Sequence, residues 1–198
     1  KNAFKNGGEY TLPIDVEVTE QLIIEGGKEL YLDLNGKTLT TSADLSGTNG
    51  CIHTKGAALH IENGKIVSKS SGYLFGTNAF KASSIFELTD VDVVSKAFMM
   101  AIGGGTNTVF TNVNADLRGD GFYYSYGSID SSLSGILIDG GKYKVADGKV
   151  TFKNIANKIP VNFVGNCLFS ENSFTGVEWM DSGDADYPYA PKSYTIFI

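Results

Sequence analysis

A short pattern recurs along this chain: apolar residues alternate with polar ones, break at Asn, Asp or Gly, and resume for a few more positions. It runs through Leu32–Leu39, Leu59–Val67, Phe86–Val94, Phe110–Ala115 and Ile136–Tyr143, and more loosely through Leu168–Phe174. Anchored on Asn35, Asn63, Asp90, Asn112, Gly140 and Asn172, the repeats lie 28, 27, 22, 28 and 32 residues apart. That spacing is too short for a propeller blade and suits one coil of a solenoid.

Within a repeat the period is two. Leu30, Leu32 and Leu34 alternate with Tyr31 and Asp33, as one face of a strand requires. Asn, Asp and Gly tolerate the left-handed backbone conformation that a sharp corner needs. Hairpins are the rival reading, since Asn-Gly is also a hairpin signal. Against them, the segment after each break is short, and Ser/Gly/Thr-rich stretches follow at Thr41–Gly50, Ser68–Gly72 and Arg118–Gly121. The expected fold is therefore all-β: a right-handed parallel β-helix of about six coils, with Leu34, Ile61, Leu88 and Phe110 stacked in one dry column.

A solenoid needs its ends covered, because an open coil exposes core and strand edges. Residues 1–20 are expected to form an N-terminal cap and first strand, with Lys1–Lys5 ending a capping helix. Residues 175–198, with Trp179, Tyr187, Tyr189, Tyr194 and Phe197, are expected to cap the other end. A single domain over 1–198 is expected, since 198 residues at 42% hydrophobic suffice for one continuous core.

Composition excludes some classes. With 24 Gly and 4 Pro there is no collagen-like pattern. A net charge of -6 without a Lys/Arg cluster repels phosphate backbones, so no nucleic-acid partner is expected. No apolar run approaches a membrane span. Cys51 and Cys167 are too few for a disulfide framework and read as buried thiols, able to pair only if the fold brings their coils together. The sequence begins at Lys1 without an initiator Met or a signal-like apolar stretch, so a processed or excised piece is expected.

The stretch Leu22-Ile23-Ile24-Glu25-Gly26-Gly27-Lys28-Glu29-Leu30-Tyr31-Leu32-Asp33-Leu34-Asn35-Gly36-Lys37-Thr38-Leu39-Thr40 resembles the opening coils of pectate-lyase-like right-handed β-helix proteins. The resemblance implies a module of a bacterial surface protein, a phage tail or fibre protein, or a polysaccharide-degrading enzyme. It bears on fold, because function on a shared fold resides in sites elsewhere.

By that resemblance, a lyase would use Ca²⁺ held by carboxylates with Arg or Lys as base, and a hydrolase clustered carboxylates. There is no adjacent Asp-Asp pair. Asp90 and Asp92 are the candidate catalytic carboxylates. Arg118, the only arginine, is the candidate base, between Asp116 and Asp120 in a Gly-rich loop. Solvated carboxylates and a surface ion pair are the plainer readings. His60 alternates with Leu59 and Ile61, so it is expected to face solvent, and neither His53 nor His60 marks a metal site. No Ser or Thr has a nucleophile-elbow context. Arg118-Gly119-Asp120 spells a cell-adhesion tripeptide, a match short enough to arise by chance.

Binding candidates are aromatic. Tyr123, Tyr124 and Tyr126 lie in the densest aromatic run, and Tyr187 and Tyr189 in the tail. Core packing with wet hydroxyls is the alternative for the first group. Asp181, Asp184 and Asp186 could gather oxygens around Ca²⁺, though their spacing is not that of an EF-hand. No other cofactor is expected.

The resulting expectation is a non-catalytic module outside the cell, on its surface or on a virion. It would bind glycans or surface proteins or act as a rigid spacer, and self-associate through its ends or a flat face. The alternative is a small polysaccharide lyase or glycoside hydrolase. Carboxylates gathered with a basic residue in one concave groove would favour the enzyme; a flat Thr/Ser-lined face would favour the module.

Overall fold

The computed structural model describes residues 1–43, 50–77, 84–95, 100–102, 106–117, 122–124, 135–145, 149–153, 161–169 and 176–180. Every strand pairing among them is parallel. A short helix α1 (Asn2–Asn6) precedes a first winding of β1 (Gly8–Thr11), β2 (Val16–Val18) and β3 (Leu22–Glu25). The second holds β4 (Glu29–Asp33), β5 (Thr38–Thr41) and β6 (Ile52–Lys55). In the third, β7 (Ala58–Ser68) spans two strand positions and β8 (Phe75–Thr77) the third. Then come β9 (Ser84–Ser95) with β10 (Met100–Ile102), and β11 (Thr106–Thr111), β12 (Asn114–Leu117) and β13 (Phe122–Tyr124). The last windings are β14 (Gly135–Val145) with β15 (Lys149–Lys153), and β16 (Val161–Phe169) with β17 (Gly176–Met180).

The molecule is a parallel β-solenoid. Each winding contributes one strand to a seven-stranded sheet, in the order β3, β6, β8, β10, β13, β15, β17, and the remaining strands form a ten-stranded sheet. The first winding turns at Leu12–Asp15, which contains Pro13 and has none of the positive-φ residues that mark the later corners.

The corners fall where the anchors do. Asn35, Asn63, Asp90 and Asn112 have φ of 51, 58, 54 and 51°, and Gly140 has φ 66°. Few L-residues accept this conformation, which is why the pattern breaks at these types. In the next winding the corner is Gly165 (φ 67°), and Asn172 lies outside the described residues. Opposite it the register shifts between Asp139 and Gly141, as a bulge.

Inside, one row runs Leu32, Ile61, Leu88, Phe110, Ile138, Phe163, each paired with the next in register and none more than 5% exposed. Leu32 takes the place expected for Leu34. Four residues (Leu34 to Lys37) separate Asp33 from Thr38, whereas only Asn63 and Gly64 separate their partners Glu62 and Lys65. Leu34 is instead buried at this longer corner, its N–H donating to the Glu62 carbonyl at 2.8 Å. A second row stacks Leu39, Ile66, Val93, Ala115 and Tyr143. Each large side chain so buried stabilises the fold by about 1.5–3 kcal/mol, and the stacking makes one continuous core.

At the start, α1 packs against β3 with Phe4 buried. Gly176–Met180 pairs in register with β15 and so extends the sheet; residues 181–198 lie outside the described residues. Cys51 and Cys167 are both free and buried. No helix among the described residues is long and apolar enough to cross a membrane.

Candidate functional site

Alternation in β4, β7 and β9 buries Leu30, Leu32, Leu59, Ile61, Phe86 and Leu88 and turns the residues between them outward. Because the windings pair in register, outward residues form columns. One column is Glu9, Tyr31, His60, Glu87, Val109, and beside it run Thr11, Asp33, Glu62, Thr89. All of these except Val109 line a groove of about 620 Å³ on the ten-stranded sheet, with Glu9, Tyr31, Asp33, His60, Glu62 and Glu87 as its principal polar groups.

The centre of the groove is tightly organised. The Tyr31 and His60 rings stack with centroids 4.2 Å apart and planes 6° from parallel. His60 Nδ1 lies 2.6 Å from Glu87 Oε2, and Nε2 lies 3.3 Å from Glu29 Oε1, within ion-pair reach but not aligned as a hydrogen bond. The Tyr31 hydroxyl donates to Glu29 Oε1 at 2.8 Å. Glu29 and Glu87 thus bracket one imidazole from either side, and Tyr31 covers its face. His60 faces outward as its alternation implies, yet its side chain is only 16% exposed because these neighbours enclose it.

On the side of Tyr31 away from His60 the paired residue is Glu9, and among the described residues no second ring stacks on Tyr31. Tyr31 is 46% exposed. The bond to Glu29 raises its hydroxyl pKa first; desolvation and then the charges of Glu29, Glu87 and Glu9 add to the shift. The negative potential of the groove is therefore felt at the ring. Asp33 and Glu62 are paired neighbours in the next column, like charges side by side with no lysine or arginine lining the groove.

Those residues singled out from sequence that are described lie elsewhere. Asp90 sits at a corner and accepts a hydrogen bond from Asn112 Nδ2 at 2.5 Å, and Asp92 accepts one from Asn114 Nδ2 at 2.9 Å. Both carboxylates thereby tie the fourth winding to the fifth. Tyr123 and Tyr124 lie on β13, paired with Ala101 and Ile102, and Tyr123 also with Lys153. Arg118, Tyr126, Asp181, Asp184, Asp186, Tyr187 and Tyr189 lie outside the described residues. Among the described residues no three His, Cys, Asp or Glu side chains converge to hold a metal ion.

His53 occupies the other sheet. It is 3% exposed, with Nδ1 3.5 Å from Gln21 Nε2, while Gln21 donates to the Gly50 carbonyl at 2.8 Å. Burial lowers its pKa, and the positive charge of Lys55 lowers it further.

Sequence reading missed the groove, although its signal was present. Tyr31, His60 and Glu87 each sit between two core residues. Aligning the repeats on Asn35 sets Leu32, not Tyr31, beside His60, because that corner is two residues longer. The column is visible only once that difference is known.

No family model, no curated protein and no solved structure matches this chain.

Proposed function

We propose that this chain is a glycan-binding β-helix module, akin to the pectate-lyase-like β-helices and displayed outside the cell or on a virion. The observation that carries the reading is Tyr31. It is a partly exposed ring held by stacking on His60 of the adjacent winding and by Glu29 at its hydroxyl, in a groove rimmed with carboxylates. A sugar ring presents an apolar C–H face and a rim of hydroxyls. The exposed part of the Tyr31 ring suits the first, and the carboxylates of Glu9, Asp33, Glu62 and Glu87 suit the second as acceptors. Fixing the ring before the ligand arrives lowers the entropy cost of binding.

One observation favours a second reading. Carboxylates and an imidazole share a single groove, the arrangement a glycoside hydrolase requires. In its favour, Glu9 and Glu62 have no hydrogen-bond or ion-pair partner among the described residues. Against it, both His60 nitrogens already face carboxylates. A lyase acting on acidic polysaccharides fits less well, since the groove repels its substrate.

Titrating the isotope-labelled chain with oligosaccharides, followed by NMR, tests the proposal. Shifts confined to Tyr31, His60, Glu62 and Glu87 are expected, without cleavage. Absence of any glycan response, or a response only on the other sheet, overturns it. Depolymerisation assays on pectin, alginate and host glycans, with and without Ca²⁺, complete the test. Turnover lost in Glu62→Gln or Glu87→Gln would replace the module with the hydrolase.

A further inference from the structure

We infer that the groove selects amine-bearing glycans, free amino sugars in their ammonium form, over neutral or uronic-acid chains. This rests on the glycan-binding reading above and specifies its ligand class.

Two independent features converge on an ammonium group. The first is the ring: Tyr31 is 46% exposed, and the residue paired with it on the side away from His60 is the acidic Glu9. An aromatic face beside a carboxylate attracts a cation through both quadrupole and charge. The second is the charge balance. Among the described residues His60 is the one basic side chain lining the groove, and Glu29 and Glu87 already face it. Glu9, Asp33 and Glu62 remain, and none is paired with a lysine or arginine among the described residues. Asp33 and Glu62 stand side by side on paired strands, where their mutual repulsion is relieved by a cation placed between them.

Geometry favours a sugar chain over a basic peptide. The groove crosses four windings from Glu9 to Glu87, about 14 Å at ordinary strand spacing, with outward groups recurring once per winding. That recurrence is comparable to the repeat of an extended sugar chain and would place successive residues over successive windings. An extended peptide would look for a strand edge, and the groove lies on the face of a sheet, not its edge.

The experiment compares four probes at a pH where amines are protonated: a β-1,4-linked glucosamine tetramer, its fully N-acetylated counterpart, an oligogalacturonate, and a lysine-rich peptide. Calorimetry gives affinities at low and high salt. The glucosamine tetramer is expected to bind at least tenfold more tightly than the acetylated one, to weaken with salt, and to lose that advantage in Glu9→Gln/Glu62→Gln. The oligogalacturonate is expected not to bind. Equal affinity for the two tetramers overturns the ammonium inference while leaving glycan binding intact. Failure of every sugar overturns the glycan reading itself. Tighter binding of the peptide than of any sugar overturns the ligand class.

Discussion

Tyr31 and His60, from neighbouring windings, lie face to face with ring centres 4.2 Å apart, and the two glutamates that hold the pair, Glu29 and Glu87, come from windings on opposite sides of His60. Tyr31 is thereby held between a stacked ring and a hydroxyl partner on the outer face of the sheet. Its position depends on three successive windings being in register.

His60→Ala removes the ring stacked on Tyr31 and leaves Glu29 and Glu87 without their shared partner. Glycan affinity is expected to fall by about tenfold, the factor that 1.4 kcal/mol represents. Tyr31→Ala is expected to abolish binding while the far-ultraviolet circular dichroism stays that of a β-solenoid. Retained binding in Tyr31→Ala would show that the ring is not the platform.

His53 predicts an acid-side loss of stability. Burial holds its folded pKa below the usual 6.5, so the unfolded chain takes up the proton first as pH falls. The contribution is fully present above pH 6.5 and declines as pH drops from there towards the lowered folded value. Melting temperatures from pH 8 to pH 5 should fall more steeply for the natural chain than for His53→Gln. Parallel curves would show that His53 is not responsible.

Asp90 is expected to act as a corner and not as a catalyst. Asp90→Asn keeps an acceptor for Asn112 and a residue type that tolerates φ of 54°, so stability should be almost unchanged. Asp90→Val loses both and should cost about 2 kcal/mol in urea denaturation. Binding or turnover lost in Asp90→Asn at full stability would return this carboxylate to the site.

Two glycines should differ sharply. A Cβ on Gly141, where φ is 94°, would lie 2.2 Å from the Val113 carbonyl oxygen of the adjoining winding. Gly141→Ala should therefore cost about 3 kcal/mol or more. Gly36 has φ of 70° but nothing within 4 Å of that position, so Gly36→Ala should cost about 1 kcal/mol. Equal costs would mean that backbone conformation, not the approach between windings, sets both.

Both thiols should be silent in the native state. Cys51 is 0% and Cys167 is 1% exposed, and burial raises the Cys167 pKa. A thiol reagent is expected to modify neither until denaturant is added, and then to modify both. Rapid labelling of the folded chain would contradict this packing.

The corners and rows were legible because they obey local rules. Asn35, Asn63, Asp90 and Asn112 are read from the conformation they must adopt, and the alternation beside them is a strand's own period. Leu34 was misplaced because corner length is not written in the alternation, and two extra residues return the chain to the same face with the row shifted. The corner at Gly165 was passed over because a lone Gly inside an apolar stretch is a faint mark. The groove was illegible for a different reason. Glu9, Tyr31, His60 and Glu87 are 22, 29 and 27 positions apart, and only the pairing of windings makes them neighbours.

The outward column that begins at Glu9 does not end at Glu87. It continues through Val109 and Leu137, both partly exposed, to Asn162. Travelling along the rod, a guest meets an acid, a ring, an imidazole, another acid and then two aliphatic steps. Reversed end for end, the same guest meets them in the opposite order. The surface is therefore vectorial, and a chain with distinguishable ends would thread onto it in one sense only.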